Sequence, residues 1–276
     1  MKTKLFCADY SAIEARVLFW LAGHTDGVKA FADSRPIYEE MAARIYRKEI
    51  TKVTKAEREL GKRVILGCGY NMGPKKFMET CQTFADLKVD EALAQMAVSV
   101  YRELHWPVPV LWKTVEHAAL AAVSTGKRFE TGNGQANGRT QWFCENKILY
   151  ARLPSGRKLA YVYPEIQYKL TPWFEKRPAL YHYSVNPISE KWELGGTYGG
   201  RLVENITQAV ARDFLVEAML RIENAGYRIV LTVHDEIVAE NEKGSLEEFE
   251  NLMSEIPAWG KGCPIKVAGW VGPRYL

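Results

Sequence analysis

The sequence predicts an α+β fold: an antiparallel sheet packed by helices, beside a largely helical portion and a small β-rich insert. Three observations carry that expectation. An apolar run breaks at His234-Asp235-Glu236 and then resumes, so Tyr227–Glu240 reads as a hairpin of two half-buried strands. Helical periodicity dominates from Pro36 to about residue 125. From Lys127 the pattern changes to short β-rich runs separated by Asn-Gly and Ser-Gly pairs, which are hairpin turn signals.

The 276 residues, 47% of them hydrophobic, suffice for one large domain or two modest ones with a sizeable core. Neither an internal repeat nor a low-complexity run interrupts them, and no interdomain linker stands out. A net charge of +4 fits a polyanionic partner without requiring one. The five cysteines form no Cys-x-x-Cys pair and are odd in number, which argues against a zinc ribbon and a disulfide framework and for a reducing compartment. The start, Met1-Lys2-Thr3-Lys4-Leu5, lacks the apolar core of a signal peptide, and no apolar run reaches membrane-spanning length. A protein of the cytoplasm, with no membrane partner, is expected.

Leu5, Phe6 and Cys7 begin a strand that ends at Asp9, and Ser11 can cap the helix marked by Ile13, Val17, Leu18 and Leu21. Asp9 thus stands where a strand gives way to a helix, either as a carboxylate facing a ligand or as a further cap. Pro36 opens a helix through Arg47, and Thr54 with Glu57 forms a capping box that starts the next. Along that helix Arg58, Lys62, Leu66 and Tyr70 step by four and share one face. Two cations, an apolar group and an aromatic in line suit a nucleoside triphosphate, although a solvated basic edge reads the same way. Gly67, Gly69 and Gly73 suggest a close neighbour at its far end.

Residues 91–104 and 108–125 read as two helices broken by Trp106-Pro107. Strands are expected at Arg128–Thr131, Thr140–Cys144, Lys147–Leu153 and Lys158–Tyr163. Lys, Arg and aromatic residues alternate through this insert, as on some nucleic-acid surfaces and on some merely solvated sheets. Gly195–Gly200 reads as a flexible entry, not a phosphate loop, to a long helix over Arg201–Asn224 closed by Gly226. On it Arg201, Asn205, Gln208 and Arg212 follow one polar side able to reach a nucleic-acid backbone, with solvation the plainer reading of Arg212. A helix over Leu246–Ile256 and a strand over Ile265–Ala268 close the chain, whose tail anchors at the surface.

If the strands ending at Asp9 and near Asp235 are neighbours, two carboxylates converge. Such a pair can hold two magnesium ions, one to sharpen an attacking oxygen and one to neutralise a leaving group. With the cationic face of Arg58 and Lys62 beside it, phosphoryl or nucleotidyl transfer becomes the coherent reaction class.

These motifs carry a family resemblance. Asp9-Tyr10-Ser11-Ala12-Ile13-Glu14-Ala15-Arg16-Val17 resembles the first palm motif of family A DNA polymerases, the bacterial DNA polymerase I group with its phage members. Arg58, Lys62 and Tyr70 resemble that family's fingers helix, Gln208 its helix against the primer-template duplex, and Val233-His234-Asp235-Glu236 its last palm motif. The resemblance implies a palm at 1–30, fingers at 31–126, a β-rich insert and return to the palm at 127–195, and palm again at 196–276. Asp9, Asp235 and the Tyr10 carbonyl would bind two Mg²⁺ ions. Glu14 would exclude a 2′-hydroxyl, Arg58 and Lys62 would hold the dNTP, and Lys62 could protonate the departing pyrophosphate. Leu66 and Tyr70 would line the nucleotide pocket, with Tyr70 beside the nascent base pair. His234 and Glu236 would lie near the primer terminus, and Arg201, Asn205 and Gln208 along the duplex.

Three departures qualify the match. Leu66 stands where the family has an aromatic and Asn71 where it has glycine, and the Asn205–Gln208 spacing is one residue short of the bacterial pattern. The chain also begins almost at its first motif, with no counterpart to the thumb, the first palm strands or their Thr-Gly-Arg segment. The expectation is therefore template-directed addition of dNTPs to a primer 3′-hydroxyl by half of a split or truncated polymerase, needing a second polypeptide for the missing parts. A catalytically incompetent nucleotide- or DNA-binding fragment is the alternative. A two-metal nuclease leaves the Arg58–Tyr70 face and Glu14 unexplained, and a single-subunit RNA polymerase leaves Glu14 unexplained. A phage source would put the protein in the cytoplasm of a bacterial host. An open sheet edge is expected at Leu5.

Overall fold

The computed structural model describes residues 4–85, 87–134, 137–170, 175–186 and 188–275; the basic start at Met1–Thr3 lies outside them. Strand β1 (Lys4–Tyr10) buries Phe6, Ala8 and Tyr10 and leaves Asp9 exposed on the other face. Helix α1 (Ile13–Leu21) follows, almost wholly buried. Ser11 does not cap it: the N-cap is Ala12, in the left-handed region at φ 50°, with no side-chain cap. The Ser11 main chain is used instead, its N–H donating to the Lys266 carbonyl at 2.9 Å and its carbonyl accepting from Arg16 Nε at 2.6 Å.

Helix α2 (Thr25–Ala32) carries no strong sequence signal, since its N-cap is His24 and a glycine stands in its first turn. Helix α3 (Ile37–Tyr46) starts after Pro36 as expected, and α4 (Lys55–Gly67) is capped by the reciprocal Thr54–Glu57 bonds. Its end tightens into a 3₁₀ turn at Cys68–Tyr70. There a Cβ on Gly69 would lie 2.5 Å from Leu18 Cδ2, the close neighbour that the glycines suggested. Helices α5 (Pro74–Ala85), α6 (Glu91–Leu104) and α7 (Pro107–Thr125) complete the helical portion.

The insert is larger than the sequence suggested. Its six strands are β2 (Phe129–Gly132), β3 (Arg139–Glu145), β4 (Ile148–Arg152), β5 (Lys158–Leu170), β6 (Lys176–Val185) and β7 (Trp192–Thr197), paired antiparallel in that order. Gly195 and Gly196, expected to be a flexible entry, are strand residues of β7. Trp142, Leu149, Ala151, Tyr161 and Leu180 form the inner face and join the core. Helix α8 (Gly199–Asn224) is tied to the insert by Asp213, which accepts from Arg157 Nε and from the Ser155 hydroxyl, both at 2.5 Å.

Strands β8 (Arg228–Val233) and β9 (Glu236–Asn241) form the expected hairpin, followed by α9 (Leu246–Ser254) and β10 (Val267–Gly272). The expected last strand lies two residues further on, and the tail that was to anchor at the surface is itself a ladder strand. The second sheet runs β10-β1-β9-β8. Leu5 therefore lies in a central strand, paired on both sides, and the open edges are β8 and β10. Under this sheet Phe6, Tyr227 and Phe249 pack with ring centroids 5.2–5.8 Å apart.

A buried histidine pair joins α2 to α6. Gly27 N–H donates to His24 Nδ1 at 3.4 Å, so His24 Nε2 carries the proton given to His105 Nδ1 at 2.7 Å, and the Phe19 ring packs on both. Among the described residues His105 Nε2 is then a buried donor without a partner. Burial first, then His24, push the His105 pKa down to about 3; burial also lowers that of His24. The unfolded chain takes up these protons below about pH 6.5 and the folded chain does not, so folding stability falls as pH drops from there toward 3. Scanning calorimetry should show His105→Phe with a shallower loss of melting temperature between pH 6.5 and 4 than the parent; parallel curves would mean the pair does not titrate with unfolding.

Candidate nucleotidyl-transfer site

The main chain brings the two carboxylates together. Strand β1 pairs with β9 so that Asp9 stands opposite Glu236, and Tyr10 N–H donates to the Asp235 carbonyl at 3.4 Å. His234 and Asp235 are the two residues between β8 and β9, and His234 sits at φ 53°. Burial raises the pKa of both aspartates. Glu236 adds to the rise at Asp9, and Asp9 and Glu14 add to it at Asp235. Among the described residues neither carboxylate has a cationic partner within ion-pair distance.

Beside them opens a cleft of about 510 Å³ lined by Ala12, Ile13, Glu14, Leu66, Gln208, Ala211, Arg212, Leu215, His234 and Asp235. Glu14, in the first turn of α1, accepts from the Tyr70 hydroxyl at 3.1 Å and from Gln208 Nε2 at 3.4 Å. Four distant segments of the sequence therefore converge on Glu14 and Asp235.

Tyr70 is fixed from behind. Trp112 Nε1 donates to the Gly69 carbonyl at 2.7 Å, and Arg102 donates to Asn71 Oδ1 at 3.1 Å and the Met72 carbonyl at 3.2 Å. Asn71 is left-handed at φ 64°, a conformation glycine adopts freely and asparagine better than most. A Cβ on Gly200 would lie 2.4 Å from the Tyr70 carbonyl, so the first turn of α8 packs directly on this turn. Ala12, Asn71 and His234 are three non-glycine residues in the left-handed region around one site, a local strain that the surrounding packing must hold.

The structure does not gather every expected residue at the cleft. Arg58 lies on the same helix but is held by Glu39, Nε to Oε1 at 2.7 Å, with its guanidinium 5.4 Å from the Tyr38 ring centroid. Lys62 is half-buried and, among the described residues, makes no ion pair. The Tyr10 side chain belongs to the core, its hydroxyl donating to the Met253 carbonyl at 2.9 Å, so it is withdrawn from the cleft. Asn205 donates to the Tyr161 hydroxyl at 3.4 Å, Glu236 accepts from the Tyr275 hydroxyl at 2.7 Å, and Arg201 is exposed at the start of α8. Arg212, which the sequence left as a solvated residue, lines the cleft one turn beyond Gln208; the four-residue step between them was the available signal.

Among the described residues no group of three or more His, Cys, Asp or Glu side chains is arranged for a metal ion. The fit of a divalent cation rests on the two aspartates, whose unneutralised charge and oxygen donors suit a hard ion.

A model of DNA polymerase family A matches residues 1–122. The DNA polymerase of Bacillus phage SP02 is 35% identical over 99% of this chain and 41% of its own length. DNA polymerase I of Helicobacter pylori is 22% identical over 99% of the chain and 25% of its own length. Among solved structures, the POL domain of Pol1 from M. smegmatis, in complex with DNA primer-template and dNTP, matches the fold with a TM-score of 0.55 over 98% of this chain and 39% of that one, at 21% identity. The chain thus spans from a quarter to about two fifths of the length of these relatives. No helix of the described residues is long and apolar enough to cross a membrane. The first 122 residues thus match DNA polymerase family A, and nearly the whole chain aligns with a phage DNA polymerase.

Proposed function

We propose that this chain is the palm and fingers portion of a template-directed DNA polymerase that joins dNTPs to a primer 3′-hydroxyl. The observation that supports this most is the convergence of Asp235, Glu14, Leu66 and Gln208 on one cleft, with Asp9 paired alongside and Tyr70 bonded to Glu14. In this reading the palm is 1–30 and 196–276, the fingers 31–126, and the insert with its return to the palm 127–195.

Asp9, Asp235 and the Tyr10 carbonyl would hold two Mg²⁺ ions, which would supply Lewis acidity for an attacking oxygen and a leaving pyrophosphate. Lys62 receives the triphosphate and protonates the departing pyrophosphate, and Arg58 joins it after exchanging Glu39 for phosphate. Glu14, tied to Tyr70 and Gln208, occupies the space a 2′-hydroxyl needs and so selects deoxynucleotides. Leu66 lines the nucleotide pocket and Tyr70 closes it beside the nascent base pair. His234 and Glu236 border the primer terminus, while Arg201, Asn205, Gln208 and Arg212 follow the duplex from one side of α8.

A second polypeptide carrying the thumb and first palm strands completes the enzyme, in a bacterial host cytoplasm. The open edge of β8 supports this, with Val230, Leu231 and Val233 exposed and Val216 and Leu220 exposed on α8, the helix that packs beside it.

Primer extension tests the reading, using the chain alone and co-expressed with any companion polypeptide encoded upstream. Extension should require template and Mg²⁺, prefer dNTPs to ribonucleotides, and fall roughly 10²-fold or more in Lys62→Ala. Undiminished extension by Lys62→Ala would remove the triphosphate role. dNTP binding without any extension, companion included, would leave only a binding fragment.

A further inference from the structure

The insert has a second, outward face that the nucleotidyl-transfer site does not use. Cross-strand register places Phe143, Tyr150, Tyr183 and Trp192 there, opposite in direction to the core residues Trp142, Leu149, Tyr161 and Leu180. A bulge in β5 between Val162 and Glu165 adds one more ring: Tyr163, at φ 48°, is turned so that it meets Tyr183 edge-on at 6.2 Å. Tyr183 in turn stacks on Trp192 at 6.3 Å and 24°. The result is a row of three rings across three strands, whose two ends, Tyr163 and Trp192, are each 55% exposed. A left-handed backbone at a bulky aromatic is costly, and here it serves to expose the ring, not to bury it.

Cations lie among the rings. Lys158 Nζ stands 5.3 Å from the Phe143 ring centroid and 5.1 Å from that of Tyr150, and Lys169 Nζ stands 4.8 Å from that of Tyr181. Arg177, directly opposite Lys169 in the ladder, pairs with Glu175 at 2.9 Å. The carboxylates of this face are engaged: Glu145 pairs with Arg128 at 2.9 Å, Glu130 with Arg139 at 3.1 Å, and Glu165 accepts from Gln167. Among the described residues Arg152, Lys158 and Lys169 have no carboxylate within ion-pair distance.

We propose that this outward face binds single-stranded nucleic acid, its bases stacking on Tyr163, Tyr183 and Trp192 and its phosphates meeting Lys158, Lys169 and Arg152. Aromatic groups give sequence-tolerant stacking and the free cations track the backbone, the combination that suits an unpaired strand and not a duplex, whose bases are already stacked. A protein partner would account for the exposed rings but not for three unneutralised cations set among them.

The test is fluorescence anisotropy of a labelled oligothymidylate of about fifteen nucleotides with the full chain. Tyr183→Ala/Trp192→Ala should weaken binding at least about tenfold. Lys158→Glu/Lys169→Glu, exposed changes that spare the core, should weaken it similarly and flatten the salt dependence of log K by roughly 0.7 for each cation lost. Binding of a blunt duplex should be unchanged by both. Asp235→Asn should leave oligonucleotide affinity intact whether or not the chain extends primers, which separates this surface from the catalytic reading. Unchanged oligonucleotide affinity in both double variants, folded as judged by circular dichroism, would overturn the proposal, and so would an equal loss for the blunt duplex or a loss of protein association alone.

Discussion

Asp235→Asn should abolish nucleotide addition, by at least about 10³-fold, and at the same time raise the melting temperature of the metal-free protein. The two effects have one cause. Burial, Asp9 and Glu14 all disfavour the ionised Asp235, so its folded pKa lies above the value it has in the unfolded chain. The folded state therefore holds this proton to higher pH than the unfolded one, and stability is lost as pH rises through that window. At neutral pH the whole penalty is present. Asparagine keeps the shape and removes the charge, and a gain of about 1–3 °C is expected, a modest figure because Asp235 is only half-buried and solvent screens it.

Two controls separate electrostatics from repacking. The gain should vanish at pH 3, where the parent carboxylates are protonated. Mg²⁺ should stabilise the parent, by relieving the same repulsion, and stabilise Asp235→Asn less. Equal melting temperatures at pH 7, or an equal Mg²⁺ response, would show that the repulsion between these carboxylates is not what the aspartate contributes. The comparison is informative because a residue kept only for the fold should lose stability when altered, whereas one kept for a ligand should lose activity and gain stability.

How much of this was legible in the sequence depends on the range of the forces involved. The Thr54–Glu57 capping box and the Tyr227–Glu240 hairpin were readable because their bonds close within a few residues. Asp9 and Asp235 were readable as strand-end carboxylates, and the pairing of their strands is the one long-range fact the site needed. Strands β6 and β7 were missed because Pro178, Gly195 and Gly196 lie inside them, against strand propensity, and the ladder overrides it. Helix α5 begins at Pro74, a favoured first position that can also be read as a break. The pairing of Arg58 with Glu39 joins two helices nineteen positions apart, and nothing local announces it. The central place of β1 was misjudged for the same reason: β10 returns from the far end of the chain to cover it.

Arg16 shows what a motif conceals. It stands inside the Asp9–Val17 segment, yet no role followed from its position there. It is 6% exposed, and its guanidinium donates to the carbonyls of Ser11 at 2.6 Å, Pro264 at 2.7 Å and Phe31 at 3.4 Å, while lying 4.5 Å over the Phe31 ring. Burial lowers its pKa, and among the described residues no carboxylate pairs with it. A buried cation satisfied only by carbonyls is expensive to maintain, so its retention needs a structural return. That return is the strand-to-helix turn: Arg16 fastens Ser11, beside strained Ala12, between Asp9 on one side and Glu14 on the other. Arg16→Met removes the charge but leaves buried carbonyls without donors, and the second effect should exceed the first. A net loss of about 2–4 kcal/mol is expected, or roughly 5–15 °C in melting temperature. Arg16→Lys should fare little better, because one ammonium cannot span three carbonyls on separate segments. Calorimetry with primer extension at a temperature where the variant stays folded separates the outcomes. Residual activity should fall by more than the unfolded fraction explains, since Asp9 and Glu14 lose their common anchor. A variant that melts like the parent would mean that the turn holds itself, and that the guanidinium only fills space beneath it.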